Sequence, residues 1–324
     1  MASLGRVSIV VLALFVLLEA SARLVIFGHA GLDPRRVGIL RDLDPAALVT
    51  FETEPGLVYE YKPDLDVFFK GVHFRTNSRG MRDREYAPAK PPGALRVAVI
   101  GSSFTLPVGV EIEDAFHSRL EQRCSRERPP APCEFLNFAV GMHGPSQFLA
   151  MLEQRALAFE PDLVLVSITA MAVPRMFADF RDVPPQDVLR LVAPGGPRSF
   201  LVKLIQARLG LGWPSFAAPP LAPPPPVPEA QQVVAKLGEI SRERGLPVVV
   251  VRLEYDPRSP SALERWLEAR VLEEGMFYLD TRAAFRGTRP QEFWIHELDP
   301  HPNRRAHALF ADVLEEFLRS RGLL

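Results

Sequence analysis

The sequence predicts a three-layer α/β/α sandwich around a parallel sheet of about five strands, preceded by an N-terminal hydrophobic helix. Short, unbroken apolar runs, typical of strands that are covered on both faces, recur from Leu95 onward. Between them lie longer segments whose apolar residues recur at helical spacing. Strands that alternate with helices imply parallel pairing through right-handed crossovers, which gives a sheet with helices on both faces.

The regular alternation runs from Leu95 to the last helix. The helix predicted from Glu229 shows the spacing clearly, with Val233, Leu237 and Ile240 on one face. The predicted strands are 95–101, 134–140, 162–168, 246–253 and 276–280. The predicted helices are 114–126, 146–158, 199–209, 229–244, 260–274 and 304–321.

Bulk composition excludes few classes of protein, but it argues against a nucleic-acid partner. The chain has 324 residues, with 38 Lys and Arg against 39 Asp and Glu, and a net charge of −1. This balance gives no electrostatic reason to propose nucleic acid as a partner. No metal-ligand spacing and no glycine-rich phosphate loop is present, so no cofactor is expected.

The N-terminal segment 1–28 predicts export. Its apolar run 7–18 has the length of a signal-peptide core, and Ala20-Ser21-Ala22 has the small-x-small pattern of a cleavage site. The alternative is an uncleaved anchor over 7–27, in which Glu19 and Arg23 pair one helical turn apart. Either reading places the remaining chain on the extracytoplasmic, periplasmic side, as a single-pass membrane protein or as a secreted form.

Two further segments frame the domain, which is predicted to cover 94–324. Residues 29–93 are expected to form an irregular arm that packs on it, with short strands around Leu57-Tyr59-Tyr61 and Val67-Phe69. Residues 213–230 are rich in proline, which predicts an extended linker inside the domain. The alternative for this stretch is a ligand for the aromatic groove of a partner.

The two cysteines suit an oxidising compartment. Cys124 and Cys133 flank a polar loop that contains prolines, and a disulfide that closes this loop is predicted. The alternative is two unrelated thiols.

Two serines follow the first predicted strand of the sheet. Open α/β sheets bind ligands beyond the carboxyl ends of their strands, so Ser102 and Ser103 are candidates for a nucleophile. Either serine would need a base within hydrogen-bond reach.

A candidate base lies just ahead of the last predicted helix. Among seven histidines, His301 follows Asp299 by two residues, between two prolines. A neighbouring carboxylate can orient an imidazole and stabilise its charged form. Asp299 or Asn303 could instead cap the helix, and both roles can coexist.

These blocks resemble those of the SGNH (GDSL-type) hydrolases. Gly101-Ser102-Ser103-Phe104-Thr105 is similar to the first block of that family, and Asp299-Pro300-His301-Pro302-Asn303 resembles its last block. The membrane-anchored members of the family are similar in further segments: Glu19 to Arg23, Asn77 to Asp83, Gly109-Val110, Asn137 to Gln147 and Pro161 to Val164.

The resemblance implies a flavodoxin-like sheet and a serine triad. Ser103 would be the nucleophile, His301 the general base and then acid, and Asp299 the residue that orients it. The reaction implied is attack on an ester carbonyl to form an acyl-enzyme, which is released to water or to an acceptor hydroxyl.

The chain departs from the family at the residues that would stabilise the oxyanion. Backbone donors are expected at Ser103 and at Ala139, which stands in place of a glycine, with Gly141 as the alternative. The family's third-block asparagine has no counterpart in 167–172, where Thr169 is the candidate substitute. In a well-studied hydrolase, the loss of one such donor costs about 2.7–4 kcal/mol.

Two functions are therefore open. The first is an exported acyl-ester hydrolase or O-acyltransferase whose substrate is an acyl ester, on analogy an envelope glycan. The second is a catalytically impaired binding or assembly module of the cell envelope. The sequence does not identify protein partners.

Overall fold

A computed structural model describes residues 2–33, 48–51, 53–54, 56–169, 199–209, 227–256 and 258–324. Its strands are β1 (Val49–Thr50), β2 (Glu60–Tyr61), β3 (Asp66–Phe69), β4 (Val72–Arg75), β5 (Leu95–Ile100), β6 (Cys133–Asn137), β7 (Leu163–Ile168), β8 (Val248–Arg252), β9 (Phe277–Asp280), β10 (Trp294–His296) and β11 (Asp299–Pro302). Its α-helices are α1 (Ala2–Phe27), α2 (Phe116–Glu127), α3 (Pro145–Gln154), α4 (Phe200–Arg208), α5 (Val227–Arg244), α6 (Ala262–Glu273) and α7 (Arg304–Ser320).

The central sheet contains five strands in the spatial order β6-β5-β7-β8-β9, and all of its pairs are parallel. Strands β5, β7 and β8 are buried almost throughout, as their unbroken apolar runs predicted. The predicted sandwich and its flavodoxin-like strand order are confirmed. This arrangement brings the carboxyl ends of all five strands to one edge, where polar loops can meet.

The side chains of alternate strand residues pack in two separate hydrophobic cores, one on each face of the sheet. In β5, Val97 and Val99 pack in the core that contains residues of α2 and α7. Ala98 and Ile100 face the other core, which contains residues of α3, α5 and α6. The period-two alternation of a buried strand therefore supplies both faces of the sandwich.

Some predicted boundaries differ from the structure, for local reasons. Strand β6 ends at Asn137 rather than at 140, because the Asn137 side chain accepts a hydrogen bond from the Ala139 N–H and turns the chain. Helix α3 ends at Gln154 rather than at 158, and a 3₁₀ turn follows it. The proline-rich linker was predicted to reach 230, but α5 begins at Val227; residues 213–226 of that prediction lie outside the described residues.

The arm contains two small antiparallel pairs, β1 with β2 and β3 with β4. The β3–β4 hairpin turns at Lys70 and Gly71, which both have positive φ. This is the two-residue turn that matches the twist of a hairpin, and glycine adopts it without strain. A third antiparallel pair, β10 with β11, was not predicted and lies directly before α7.

Two further predictions concern the cysteines and the N-terminal segment. Cys124 and Cys133 form the predicted disulfide. The N-terminal segment is a continuous helix, and Gly5–Leu32 is long and apolar enough to cross a membrane, with a mean hydropathy of 2.5. Such a helix fits either an anchor or a signal sequence.

Candidate active site

The turn after β5 presents Ser103 at the carboxyl edge of the sheet. Gly101 makes this turn possible, because a Cβ there would lie 2.2 Å from Thr105 Oγ1 and 2.5 Å from Ser167 Oγ. The Ser102 carbonyl then accepts hydrogen bonds from the N–H groups of Thr105 and Leu106, at 3.0 and 2.9 Å. The chain thus folds back tightly around Ser103.

The two serines of the turn differ in exposure. Ser102 is buried, whereas Ser103 is half-buried. Within the described part of the chain, neither the hydroxyl nor the N–H of Ser103 has a hydrogen-bond partner. The Ser102 hydroxyl also has no partner among the described residues, so its greater exposure is what distinguishes Ser103; no hydrogen bond joins the Ser103 hydroxyl to the His301 imidazole.

Asp299 and His301 are both buried in strand β11 and form a hydrogen-bonded pair. Asp299 Oδ1 accepts one hydrogen bond from the His301 N–H, at 3.0 Å, and pairs with the His301 Nδ1. A carboxylate on Nδ1 leaves Nε2 as the nitrogen that can take a proton. Asn303 caps α7 by accepting from the N–H groups of Arg305 and Ala306, so the orienting and capping roles coexist, in different residues.

Lys70 completes the surroundings of Asp299 and was not among the predicted site residues. Its Nζ forms an ion pair with Asp299 Oδ2, opposite the oxygen that holds His301. Burial would raise the pKa of Asp299, but the charges and hydrogen bonds of His301 and Lys70 hold it well below its ordinary value. Asp299 is therefore an anion at neutral pH and can accept both hydrogen bonds.

Aromatic contacts hold the serine turn against the hairpin. The ring centroids of Phe104 and His301 are 5.7 Å apart, and Tyr255 stacks on Phe104 at 5.8 Å. The Tyr255 hydroxyl donates to the Pro300 carbonyl. The residue after Ser103 thus contacts the imidazole directly, which brings two segments about 200 residues apart in sequence to one place.

The expected oxyanion donors differ in their surroundings. The Ala139 N–H donates to Asn137 Oδ1 at 3.0 Å. Gly141 lies beside Tyr61, whose hydroxyl would be 3.0 Å from an added Cβ. Thr169 is buried directly after β7, and 170–172, the rest of that predicted loop, lies outside the described residues. Ser103 is the expected donor whose N–H has no partner among the described residues.

Two other polar residues near this edge have structural contacts. His143 Nε2 lies 3.0 Å from the Tyr59 carbonyl, and burial lowers the pKa of His143 to about 4. Gln147 Oε1 accepts from the Gly144 N–H and so caps α3. Both side chains therefore have a structural role in this arrangement.

The arm also supports the serine turn through Arg82, a contact that the sequence did not predict. The Arg82 guanidinium is fully buried and donates to the carbonyls of Leu106 at 2.9 Å, Val110 at 2.7 Å and His73 at 3.2 Å, and also to Pro107. Asp83 follows it and accepts from the Asn137 N–H at 2.9 Å. The segment from Asn77 to Asp83 was the available signal, since buried charged residues there require partners.

The described residues contain no group of three or more His, Cys, Asp or Glu side chains that could hold a metal ion.

Comparisons with known proteins found similarity only among solved structures. No protein-family model matches the chain, and no curated protein matches it. A two-domain esterase active on acetylated mannans is 15% identical with a TM-score of 0.44; the match covers 70% of this chain and 49%, about half, of that one. A variant of Axe2, an acetylxylan esterase from Geobacillus stearothermophilus, is 13% identical with a TM-score of 0.44, and the match covers 71% and 95% of the two chains.

A third structure is a protein from Desulfitobacterium hafniense assigned to the G-D-S-L lipolytic family, 13% identical with a TM-score of 0.41 over 68% of this chain and 98% of that one. The solved structures to which this chain is similar thus include esterases and a protein of G-D-S-L assignment.

Proposed function

We propose that this protein is a serine ester hydrolase or O-acyltransferase of the SGNH type, with Ser103 as nucleophile, His301 as base and Asp299 as its orienting partner. The observation that carries the proposal is the Asp299–His301 pair beside the serine turn. His301 takes the Ser103 proton as the hydroxyl attacks an ester carbonyl. It then protonates the leaving alkoxide, and water or an acceptor hydroxyl attacks the acyl-enzyme in the second half.

The Ser103 N–H supports the oxyanion in this mechanism. Backbone donors that are free before substrate arrives stabilise the developing charge without reorganisation. The Ala139 N–H would have to leave Asn137 Oδ1 before it could contribute. We therefore expect a slower acylation than a site with three preorganised donors would give.

We also infer that α1 stays attached as a single-pass anchor, with the α/β domain on the extracytoplasmic side. The disulfide and the apolar helix support this location. Arg23 supports retention, since it is buried and pairs with Glu19 at 2.9 Å. Cleavage after Ala22 would remove Glu19 and with it the hydrogen bonds that Glu19 accepts from Ser199, Phe200 and Leu201.

The function is tested by labelling the full chain in detergent with a fluorophosphonate probe. We expect one covalent adduct, located on Ser103 by peptide mass spectrometry, because the probe reacts with an activated serine. Ser103→Ala should abolish the adduct, and His301→Ala should slow it by about 10²–10⁴-fold, which is the usual worth of a placed base.

Ser102→Ala is the matched control, since it removes the neighbouring hydroxyl from the same turn. It should keep the adduct. An adduct that followed Ser102 would move the assignment by one residue. Absence of any adduct in a folded protein would support the second function, a binding or assembly module, which the occupied Ala139 N–H favours.

A further inference from the structure

The extracytoplasmic end of α1 is bonded to α4. Glu19 accepts hydrogen bonds from the N–H groups of Phe200 at 3.1 Å and Leu201 at 2.9 Å, and from Ser199 Oγ at 2.7 Å. Arg23 holds the other side of the contact, with its guanidinium 4.8 Å from the Phe200 ring centroid. The first turn of α4 therefore lies at the level of Glu19 along α1.

Glu19 is the first charged side chain after the long apolar run of α1. The preceding run 7–18 is uncharged, and its large apolar side chains are exposed. A carboxylate is placed at the membrane interface rather than in the lipid core. Since α4 begins on this carboxylate, α4 starts at the bilayer surface.

The outward face of α4 is apolar. Ile205 is 48% exposed, and Leu209, one helical turn later, is 65% exposed. Two basic residues, Lys203 and Arg208, border this face. An apolar face with basic flanks, on a helix at the surface of a bilayer, is the pattern of a helix that lies in the interface.

Helices α1 and α4 also contact the β10–β11 hairpin, which contains His301, the candidate base. The Phe27 ring lies 5.1 Å from Phe200 and 4.8 Å from His296. His296 is paired with Asp299 across β10 and β11. Arg208 also forms an ion pair with Glu297 at 2.7 Å, so both ends of α4 contact the β10–β11 hairpin.

We propose that α4 lies in the bilayer interface and that the site takes an acyl ester held at the membrane surface. The bilayer is the occupant because α4 begins on Glu19 of the apolar helix α1 and exposes apolar side chains beside it. The substrate class rests on the proposed function, since it requires Ser103 chemistry, whereas the position of α4 does not. An amphiphilic ester in the outer part of the bilayer would reach the β10–β11 hairpin without leaving the interface.

The position of α4 is tested with a fluorophore on the full chain in vesicles of phosphatidylcholine and phosphatidylglycerol. Both native cysteines are paired, so Ile205→Cys provides one free thiol for an environment-sensitive NBD label. Leu272→Cys is the matched control, because Leu272 is 54% exposed on α6, a helix of the α/β domain. We expect a blue-shifted emission at 205 that nitroxide-labelled lipids quench, and neither effect at 272. Equal spectra and equal quenching at the two positions would overturn the proposal.

The substrate class is tested by the ratio of turnover on a vesicle-borne p-nitrophenyl palmitate to turnover on soluble p-nitrophenyl acetate. Ile205→Glu with Leu209→Glu should lower this ratio by about tenfold, because charges on this face oppose insertion. Leu272→Glu should leave the ratio at the wild-type value. An unchanged ratio in the double variant would exclude the membrane-borne substrate. Loss of the Ser103 adduct would instead contradict the proposed function, while the NBD result would stand.

Discussion

At the scale of single residues, the site depends on how one carboxylate is shared. Asp299 uses Oδ1 for the His301 imidazole and Oδ2 for the Lys70 ammonium. The cation keeps the carboxylate charged in a buried position. In the proposed mechanism, Lys70 is therefore a positioning residue that acts through Asp299.

We expect Lys70→Met to move the acid limb of the Ser103 labelling rate to higher pH. With the cation gone, the pKa of Asp299 rises, because one of the two partners that hold it low is removed, so the carboxylate that orients His301 is neutralised at a higher pH. Lys70 is 34% exposed. Its effect is screened to about 1 kcal/mol, or roughly 0.7 pH unit. The measurement is the rate of fluorophosphonate labelling between pH 3 and 8.

Lys70→Arg is the control, because it keeps the charge and should keep the wild-type profile. A uniform loss of rate at every pH in Lys70→Met, with no displacement of the acid limb, would show that Lys70 only supports the β3–β4 hairpin.

At the scale of elements, the N-terminal arm donates hydrogen bonds to the loop after Ser103 in addition to packing on the α/β domain. The β3–β4 hairpin supplies Lys70, and the following segment supplies Arg82, whose four hydrogen bonds end on carbonyls of His73 and of the loop after Ser103. A loop with few regular hydrogen bonds of its own needs such partners, because a buried carbonyl without a donor is costly.

Arg82→Met should lower the free energy of unfolding by about 3 kcal/mol or more, because it leaves several buried carbonyls without a donor. Arg79→Met, in the same segment but at an exposed position, should change it by no more than about 0.5 kcal/mol. Urea unfolding in detergent measures both. Equal stabilities of the two variants would show that the arm does not hold the loop.

At the scale of the whole molecule, buried titratable groups couple stability to pH. His117 and His307 are both completely buried between α2, α7 and the arm. Burial, His117 and nearby arginines lower the pKa of His307 to about 3, and burial and Arg82 do the same for His117. Asp83 acts with the opposite sign, since burial and Glu121 raise its pKa to about 7.

The sign of the histidine contribution follows from its two pKa values. His307 stays neutral in the folded chain down to about pH 3, whereas the unfolded imidazole takes up a proton below about 6.5. Its contribution to stability is therefore present above pH 6.5 and is lost as the pH falls. Asp83 contributes stability below about pH 4 and loses it as the pH rises through about 7.

We expect His307→Gln to reduce the loss of stability between pH 7.5 and pH 5 by roughly 2 kcal/mol, because glutamine does not titrate. Urea unfolding at the two pH values measures this difference. The exposed His29, changed to Gln, is the control and should keep the wild-type difference. The same difference in His307→Gln as in the wild type would contradict the assignment.

Much of the architecture follows from local patterns. The unbroken run in β5 and the helical spacing in α5 are properties of short segments, so each predicted strand and helix of the sandwich has a counterpart. The β10–β11 hairpin escaped prediction, since its strands are short and contain two prolines, which weaken the signal of a strand. The end of β6 was misplaced because a side-chain hydrogen bond at Asn137, rather than hydrophobicity, ends the strand.

The sequence by itself determined the sandwich, the disulfide, the apolar N-terminal helix and the choice of Ser103, His301 and Asp299 as candidates. Periodicity and motif spacing are properties of short stretches of sequence, so they can be recognised without the tertiary structure. Only the tertiary structure decided that Lys70 reaches Asp299, 229 residues away, and that Glu19 bonds the N-terminus of α4, 181 residues away at Phe200. These contacts depend on how remote segments pack, and the residues alone contain no local signal for them.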